Sequence, residues 1–323
     1  MPKIHKPRAG SLQYWPRKRA AKLLPSANWR VLEEKFKDKK GLLGFIGYKA
    51  GMARALSRDL TPDSMTKNKQ IIVPLTLLEC PAMKILSVRF YKDSKVFKDV
   101  LVENPDKELK HKIKFPKELK KAADFLNEFE PNLSEFNDIR IIVYTLAKQN
   151  SIKKTPDIIE IGLGGSIKDK FDFVKENLNK PLETSHFFAK GQIIDVHGLT
   201  KGQGLTGPMK RFGLGLRSHK AEKGRRRPGT LGPWHPARVT FRVAMAGQHG
   251  FFSRVKYNSK LVDTGAGDKI PFEFTHYGKI KTNYIALKGS VQGPPKRQLL
   301  ITVPLRETKR TAKENFEVIN LLK

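Results

Sequence analysis

The sequence predicts a mainly-β protein, a closed or nearly closed barrel that carries a mixed helical insertion and two long irregular basic segments. Three observations point there. Short β-branched apolar runs bounded by turn residues recur along the chain, as strands do. Helical periodicity is confined to one charge-balanced stretch. Two other stretches hold almost no acid and show no regular apolar pattern.

The strands come first. Residues 42–56 (LLGFIGYKAGMARAL), 71–79 (IIVPLTLLE), 84–91 (KILSVRFY), 141–148 (IIVYTLAK) and 158–162 have strand length and residue type. Further runs follow at 191–197 (GQIIDVH), 283–289 (NYIALKG) and 298–305 (QLLITVPL). Many strands with few helices between them predict a sheet that curls towards closure. The helices belong to the middle of the chain. Leu119, Ala122, Ala123, Leu126 and Phe129 share one helical face behind Pro116, and Phe171, Val174 and Leu178 do so behind Ser166. Pro is tolerated in a first helical turn, and Ser166 with Asp169 has the spacing of a capping box. These readings divide the chain into a basic arm (1–40), a first part of the barrel (41–98), an insertion (99–183), a barrel strand (184–197), a basic central loop (198–248) and the remainder of the barrel (249–323).

Charge is distributed as unevenly as pattern. The chain has 63 Lys plus Arg against 31 Asp plus Glu, a net +32 that solubility does not require and that calls for a polyanionic partner. Residues 1–30 carry eight bases and no acid. Residues 197–256 carry thirteen bases and one acid, Glu222, whereas residues 99–183 are balanced, with sixteen acids and fifteen bases. A flexible solvated tail is the plain explanation of a basic run. It does not account for Trp15, Trp29 and Trp234, nor for the Gly and Pro between them. Cationic chain interleaved with Gly, Pro and aromatic residues suits a backbone threading between RNA helices, where small residues allow close approach and rings stack on bases.

Other chemistries are excluded one by one. The segment 202–207 (GQGLTG) matches GxGxxG, but a dinucleotide site needs a helix opening there, which Pro208, Gly213 and Gly215 are expected to break, and an acid about 20 residues on, where the chain reads KGRRRPG. There is no GxxxxGK[ST] loop and no HExxH or Cys/His metal spacing among the eight histidines. Asp195, His197 and Ser185 lie near one another without a nucleophile elbow, so no triad is inferred. Cys80, the single cysteine, reads as a core residue. No run reaches the roughly 18 apolar residues of a membrane span and no signal peptide is recognisable, so a cytoplasmic protein is expected.

One family resembles this chain over nearly its whole length. Residues 188–211, FAKGQIIDVHGLTKGQGLTGPMKR, resemble the signature of large-subunit ribosomal protein three, the universal L-three family in its archaeal and eukaryotic form, at Phe188, Asp195, Gly198, Thr200, Gly202, Gly204, Gly207 and Arg211. Gln203 departs from it, standing where the family has Lys, Arg or His. SLQYWPRKRA, FIGYKAGMARAL, GPWHPARV, AGQHGFFSRVKYN and LKGSVQGPPKRQLL agree as well. Length together with the N-terminal arm favours an archaeal source.

The resemblance implies a six-stranded barrel similar to those of translation elongation factors, docked on large-subunit rRNA. It implies an arm at 2–30 that threads rRNA and a central loop at about 213–248 that reaches towards the peptidyl-transferase centre. Trp234 stands at the family's tryptophan tip, flanked by His235 and Arg238, the latter where eukaryotic relatives often have His. Large-subunit proteins fourteen and archaeal-type twenty-four are the implied neighbours.

Charge and resemblance together assign rRNA contact to Lys3, Lys6, Arg8, Arg17, Lys18, Arg19, Lys201, Lys210, Arg211, Arg217, His219, Lys220, Lys223, Arg225, Arg226, Arg227, Trp234, His235, Arg238, Arg242, Gln248 and Arg254. Arginine forks suit phosphates and stack on bases better than lysine does. Close backbone approach is assigned to Gly202, Gly204, Gly207, Gly213 and Gly215. No catalytic residue, metal or cofactor is expected, apart from Mg ions that could accompany the rRNA. Self-repulsion predicts that 1–30 and 198–248 become ordered only on RNA. An RNA-modifying enzyme would need a cofactor loop or an acid/base pair, which the basic zones lack, and a transient factor or chaperone would gain little from such extensions.

Overall fold

In the computed structural model the described residues are 14–103, 105–116 and 121–323. Lys3, Lys6, Arg8 and Leu119 lie outside them. In chain order the elements are α1 (Trp29–Lys35), β1 (Gly41–Leu42), β2 (Gly44–Asp59), β3 (Gln70–Glu79), β4 (Met83–Lys92), β5 (Lys95–Leu101), α2 (Ala122–Phe129), β6 (Asp138–Thr145), β7 (Ile158–Gly164) and α3 (Ile167–Asn177). They continue with β8 (Ile193–Leu199), β9 (Gly202–Thr206), α4 (Pro208–Phe212), β10 (Gly247–Gly250), β11 (Ser253–Ala266), β12 (Asn283–Lys288), β13 (Gln298–Thr302), α5 (Lys309–Lys313) and β14 (Phe316–Leu322). The protein is mainly β, as expected, and its strands form several sheets. It divides into two compact units: the described residues up to Lys22 with Leu199–Ser253, and Leu23–Gly198 with Arg254–Lys323.

The larger unit holds two sheets. One has the pairing order β13-β8-β11-β12-β3-β2-β14, and β13 also pairs with β2, so six strands form a closed circuit of neighbours and β14 continues from β2 outside it. The length of β2 makes this possible. Its first half pairs with β13, with Tyr48 opposite Gln298, and its second half with β14, with Asp59 opposite Phe316. Alternation along β2 sets the faces: Ala53 and Ala55 point into the core while Met52, Arg54 and Arg58 are exposed. At Gly51, where β2 bulges against β3, a Cβ would lie 2.3 Å from the Phe274 ring, so the strand needs glycine there.

The second sheet has the order β1-β7-β6-β4-β5 and is antiparallel in its named pairings. Its core runs through Val88, Phe90, Ile139, Ile141, Ile161, Phe171 and Val174 and joins that of the strand circuit at Phe45, Ile46 and Leu299. Here the strand read at 84–91 corrects the expectation. It lies in the segment assigned to the barrel, yet β4 pairs with β6, and residue 98 falls inside β5. Strand-forming residues do not announce which sheet they join; cross-strand partners far along the chain decide. The capping box of α3 is present, with the Asp169 amide donating to Ser166 Oγ at 3.3 Å and the Ser166 amide donating to Asp169 Oδ2 at 3.1 Å.

Buried polar groups lock the joints. Glu79 accepts hydrogen bonds from the Lys281 and Thr282 amides at 2.9 and 2.8 Å, from Thr282 Oγ1 at 2.9 Å and from the Tyr277 hydroxyl, fixing the 267–282 connection. Burial, then the Glu79 charge, pushes the Tyr277 phenol far above its ordinary pKa. Asp195 accepts from the Asn258 amide at 2.7 Å and the Leu305 amide at 3.0 Å, so it ties strands together. Tyr48 of β2 donates to Asp157 Oδ2 at 2.6 Å and lies 2.9 Å from Thr145 Oγ1 of β6, linking the two sheets. Cys80 is buried, as read from the sequence.

The arm is shorter than predicted. Residues 1–40 were assigned to it, but α1 occupies Trp29–Lys35 within the larger unit, and Trp29 is 4% exposed. Burying an indole stabilises by about 3 kcal/mol, so Trp29 serves the core rather than a base stack. Five strands were not predicted: β5, β9, β10, β11 and β14. β9 and β10 are glycine-rich, β5 (KVFKDVL) and β11 (SRVKYNSKLVDTGA) carry charged or polar residues among the apolar ones, and β14 (FEVINLL) has Glu317 and Asn320 between its apolar residues.

Candidate nucleic-acid interface

The smaller unit is built around one ribbon and one aromatic stack. β9 and β10 pair antiparallel, with Thr206 opposite Gly247 and Gly202 opposite Gly250. The GxGxxG segment is therefore a strand rather than a phosphate-cradling turn. A short helix does follow it, contrary to the expectation that Pro208 would prevent one. Pro208 occupies the first helical position, where its missing N–H breaks no bond, and Gly213, at φ 65°, ends α4 after five residues.

Phe212, at the end of α4, is 1% exposed. Trp15 stacks on it, with centroids 6.1 Å apart and planes 15° apart, and meets Phe241 edge-on at 5.9 Å. The Arg17 guanidinium lies 4.3 Å from the Phe212 centroid and donates to the Arg211 carbonyl at 3.2 Å. Arg211 closes the return of the loop. Its Nε donates to the Gln248 carbonyl at 2.9 Å and its Nη1 to the Met245 carbonyl at 3.0 Å. The Ala20 amide donates to the Phe251 carbonyl at 3.0 Å, and Arg19 lies over the Phe251 ring at 5.1 Å. Arm and loop, predicted as separate extensions, are thus one packed unit. The signal available in the sequence was the pairing of rings with arginines, Trp15 with Arg17 and Phe212 with Arg211, inside acid-poor stretches.

Beyond this root, packing stops. None of residues 213–249 is buried, no helix or strand occurs between Gly213 and Ala246, and residues 229–242 are exposed without interruption. Trp234 is 85% exposed. Lys18, Lys201, Lys210, His219, Lys220, Lys223, Arg225, Arg226, Arg227, His235, Arg238 and Arg242 are all exposed. Arg217 is half-buried: its Nη2 donates to the Pro228 carbonyl at 2.6 Å and its carbonyl accepts from Arg225 Nε at 3.3 Å, which folds 217–228 back on itself. Gln248 Nε2 donates to the Gly250 carbonyl at 3.0 Å. Arg254 falls in the larger unit, where its carbonyl accepts from Gln292 Nε2 at 3.2 Å. The structure therefore gathers most of the assigned residues in one unit and gives Arg17, Arg211, Arg217 and Gln248 internal work.

Among the described residues, chain neighbours aside, nothing comes within 4 Å of a Cβ built at Gly204, Gly207 or Gly215, so packing among them does not demand glycine at 207 and 215, whereas Gly204, at φ 66°, has its own conformational need. Gly202 would meet only the Phe251 ring, at 3.6 Å. The positive field is felt locally. Burial first, and then Lys210, Arg17 and Arg211, lower the pKa of His249, whose Nδ1 lies 3.1 Å from Thr206 Oγ1. Among the described residues no group of three or more His, Cys, Asp or Glu side chains could hold a metal, and no helix is long and apolar enough to cross a membrane.

A model of the family "Ribosomal protein L3" matches residues 1–321. The chain belongs to the ribosomal protein L3 family. Its relatives named "Large ribosomal subunit protein uL3" include that of Methanosphaera stadtmanae, 36% identical over 325 residues covering 96% of this chain and 95% of the relative. That of Methanocaldococcus jannaschii is 37% identical over 315 residues, covering 94% and 92%. That of Methanococcus aeolicus is 38% identical over 325 residues, covering 97% and 94%. All three are archaeal, and each matches over nearly its whole length. The L3 family match spans both units, including the basic unit and its Trp234 segment.

Proposed function

We propose that this chain is a structural constituent of the large ribosomal subunit in an archaeal cytoplasm. On this reading it binds large-subunit rRNA through its smaller unit, aids assembly, and supports the region of the peptidyl-transferase centre with the Trp234-tipped loop. It carries no catalysis of its own. The strand circuit serves as a translation-protein-type barrel seated on the RNA surface, beside other large-subunit proteins, with proteins fourteen and archaeal-type twenty-four as the candidates.

The observation that carries the reading is residues 213–249: 37 consecutive residues without one buried side chain, with an exposed tryptophan and a single acid. Such a segment cannot be held in shape by a core of its own. RNA supplies both the counter-charge and the surfaces it lacks. The packed root formed by Trp15, Phe212 and Arg211 sets where the loop and arm leave the protein, and RNA orders what lies beyond. Exposed Arg225, Arg226 and Arg227 fork onto phosphates, and Trp234 stacks or wedges where strands meet.

Sedimentation of lysate at moderate salt, followed by crosslinking at Trp234 and Arg226 in intact subunits, tests this. Recovery in the large subunit with crosslinks near the catalytic RNA is expected. A chain found outside ribosomes, or crosslinked only to remote surface helices, contradicts it.

A further inference from the structure

β14 leaves an edge open. It stands last in the pairing order with β2 as its one strand neighbour among the described residues, and Ile319 sits in a bulge between Val318 and Asn320, 50% exposed. An edge strand turns every second backbone N–H and C=O away from its partner, which makes it a template for another strand. Beside β14 lies a groove of about 450 Å³ whose other wall is Lys260–Asp263 of β11, with Lys190 and Lys269 at its rim. Lys190 pairs with Asp263 at 2.6 Å, and Lys260 Nζ donates to the Ala312 carbonyl at 3.2 Å.

We propose that this groove receives an extended acidic segment of a neighbouring protein, which adds as a strand to the β14 edge. The proposal rests on the ribosomal reading above. Two features select the occupant. Three lysines against Asp263 and Glu317 leave the groove one net positive charge, so the entering segment carries at least one carboxylate. RNA would answer the same charge, but the groove is floored by a strand edge that alternates donors with carbonyl oxygens. A phosphate only accepts hydrogen bonds, so RNA would have to answer those carbonyls with 2′-hydroxyls or base edges, which do not recur at the spacing of a strand. A polypeptide satisfies both kinds of group at once. The bulge at Ile319 breaks the edge midway, so the added strand is short.

The full chain carrying a photo-crosslinking residue at Ile319, and separately at Lys269, is assembled into large subunits and irradiated. From both positions we expect crosslinks to one protein, within one peptide carrying Asp or Glu. The double variant K190Q/K269Q should lower the yield from Ile319 about fivefold, from two rim charge contacts, while sedimentation and melting temperature stay those of the parent. Crosslinks to rRNA, to a second copy of this chain or to nothing overturn the proposal. So does a yield that the double variant leaves unchanged. A chain absent from the large subunit instead refutes the ribosomal reading, and this proposal with it; a chain present there without the protein crosslink refutes this proposal alone.

Discussion

Phe212→Ala tests how the root of the basic unit is held. Among the described residues of that unit, Leu199 and Phe212 are the buried large hydrophobic side chains, so Phe212 has little to share its load with. Truncating a buried Phe costs about 3–5 kcal/mol through lost transfer energy and the void left behind. The stack on Trp15 at 6.1 Å and the contact with Arg17 at 4.3 Å add about 1–2 kcal/mol. A unit with so small a core has no reserve of that size. Local opening should therefore rise by about 100-fold or more, or to completion. Hydrogen exchange read at the amides of Ala20, Arg211 and Phe251 measures it, since each donates a backbone hydrogen bond inside the unit. The larger unit should melt as before. Unchanged exchange at those three amides would refute the argument, as would a fall in the melting temperature of the larger unit.

Four further outcomes are expected. Trp234→Ala should leave stability unaltered and weaken rRNA binding by about 1–3 kcal/mol, the worth of one base stack, in a binding titration; replacing Arg225, Arg226 and Arg227 together by Ala should lower the salt slope of binding by about 2–3. Glu79→Leu should lower thermal stability by about 2–4 kcal/mol in a calorimetric melt, because the Lys281 and Thr282 amides and the Thr282 hydroxyl then lose the buried oxygen they donate to. His197 supplies a pH test: burial lowers its pKa from the ordinary 6.5 to about 4. The unfolded chain thus takes up a proton that the folded chain refuses. Stability contributed by keeping His197 neutral is whole above pH 6.5 and is lost as pH falls towards 4, by about 2 kcal/mol in urea melts, and His197→Asn should flatten that dependence.

What could be read in advance follows from the range of the forces involved. The capping box at Ser166, the face of α3 and the alternation in β2 depend on residues within a turn or a pleat of one another. The assignment of β4 to the second sheet depends on Ile139 and Ile141, about fifty residues away, and no local pattern encodes that choice. β11 escaped notice because its partners, rather than its own alternation, make it a strand. At the candidate site, charge picked out segments that the structure gathers into one unit, but Trp29 looked like its neighbours Trp15 and Trp234 until burial separated them.

The sequence by itself determined the partner class: an acid-poor stretch of thirteen bases is a property of composition, and no arrangement of the backbone can remove that charge. Tertiary structure alone decided which strands close on which, which tryptophan serves the core, and that the arm and the loop share one aromatic root. Those outcomes depend on contacts between residues as far apart as Arg17 and Arg211. Packing at such separations is chosen by the whole chain at once, since each contact is favourable only where the others already hold the two segments together.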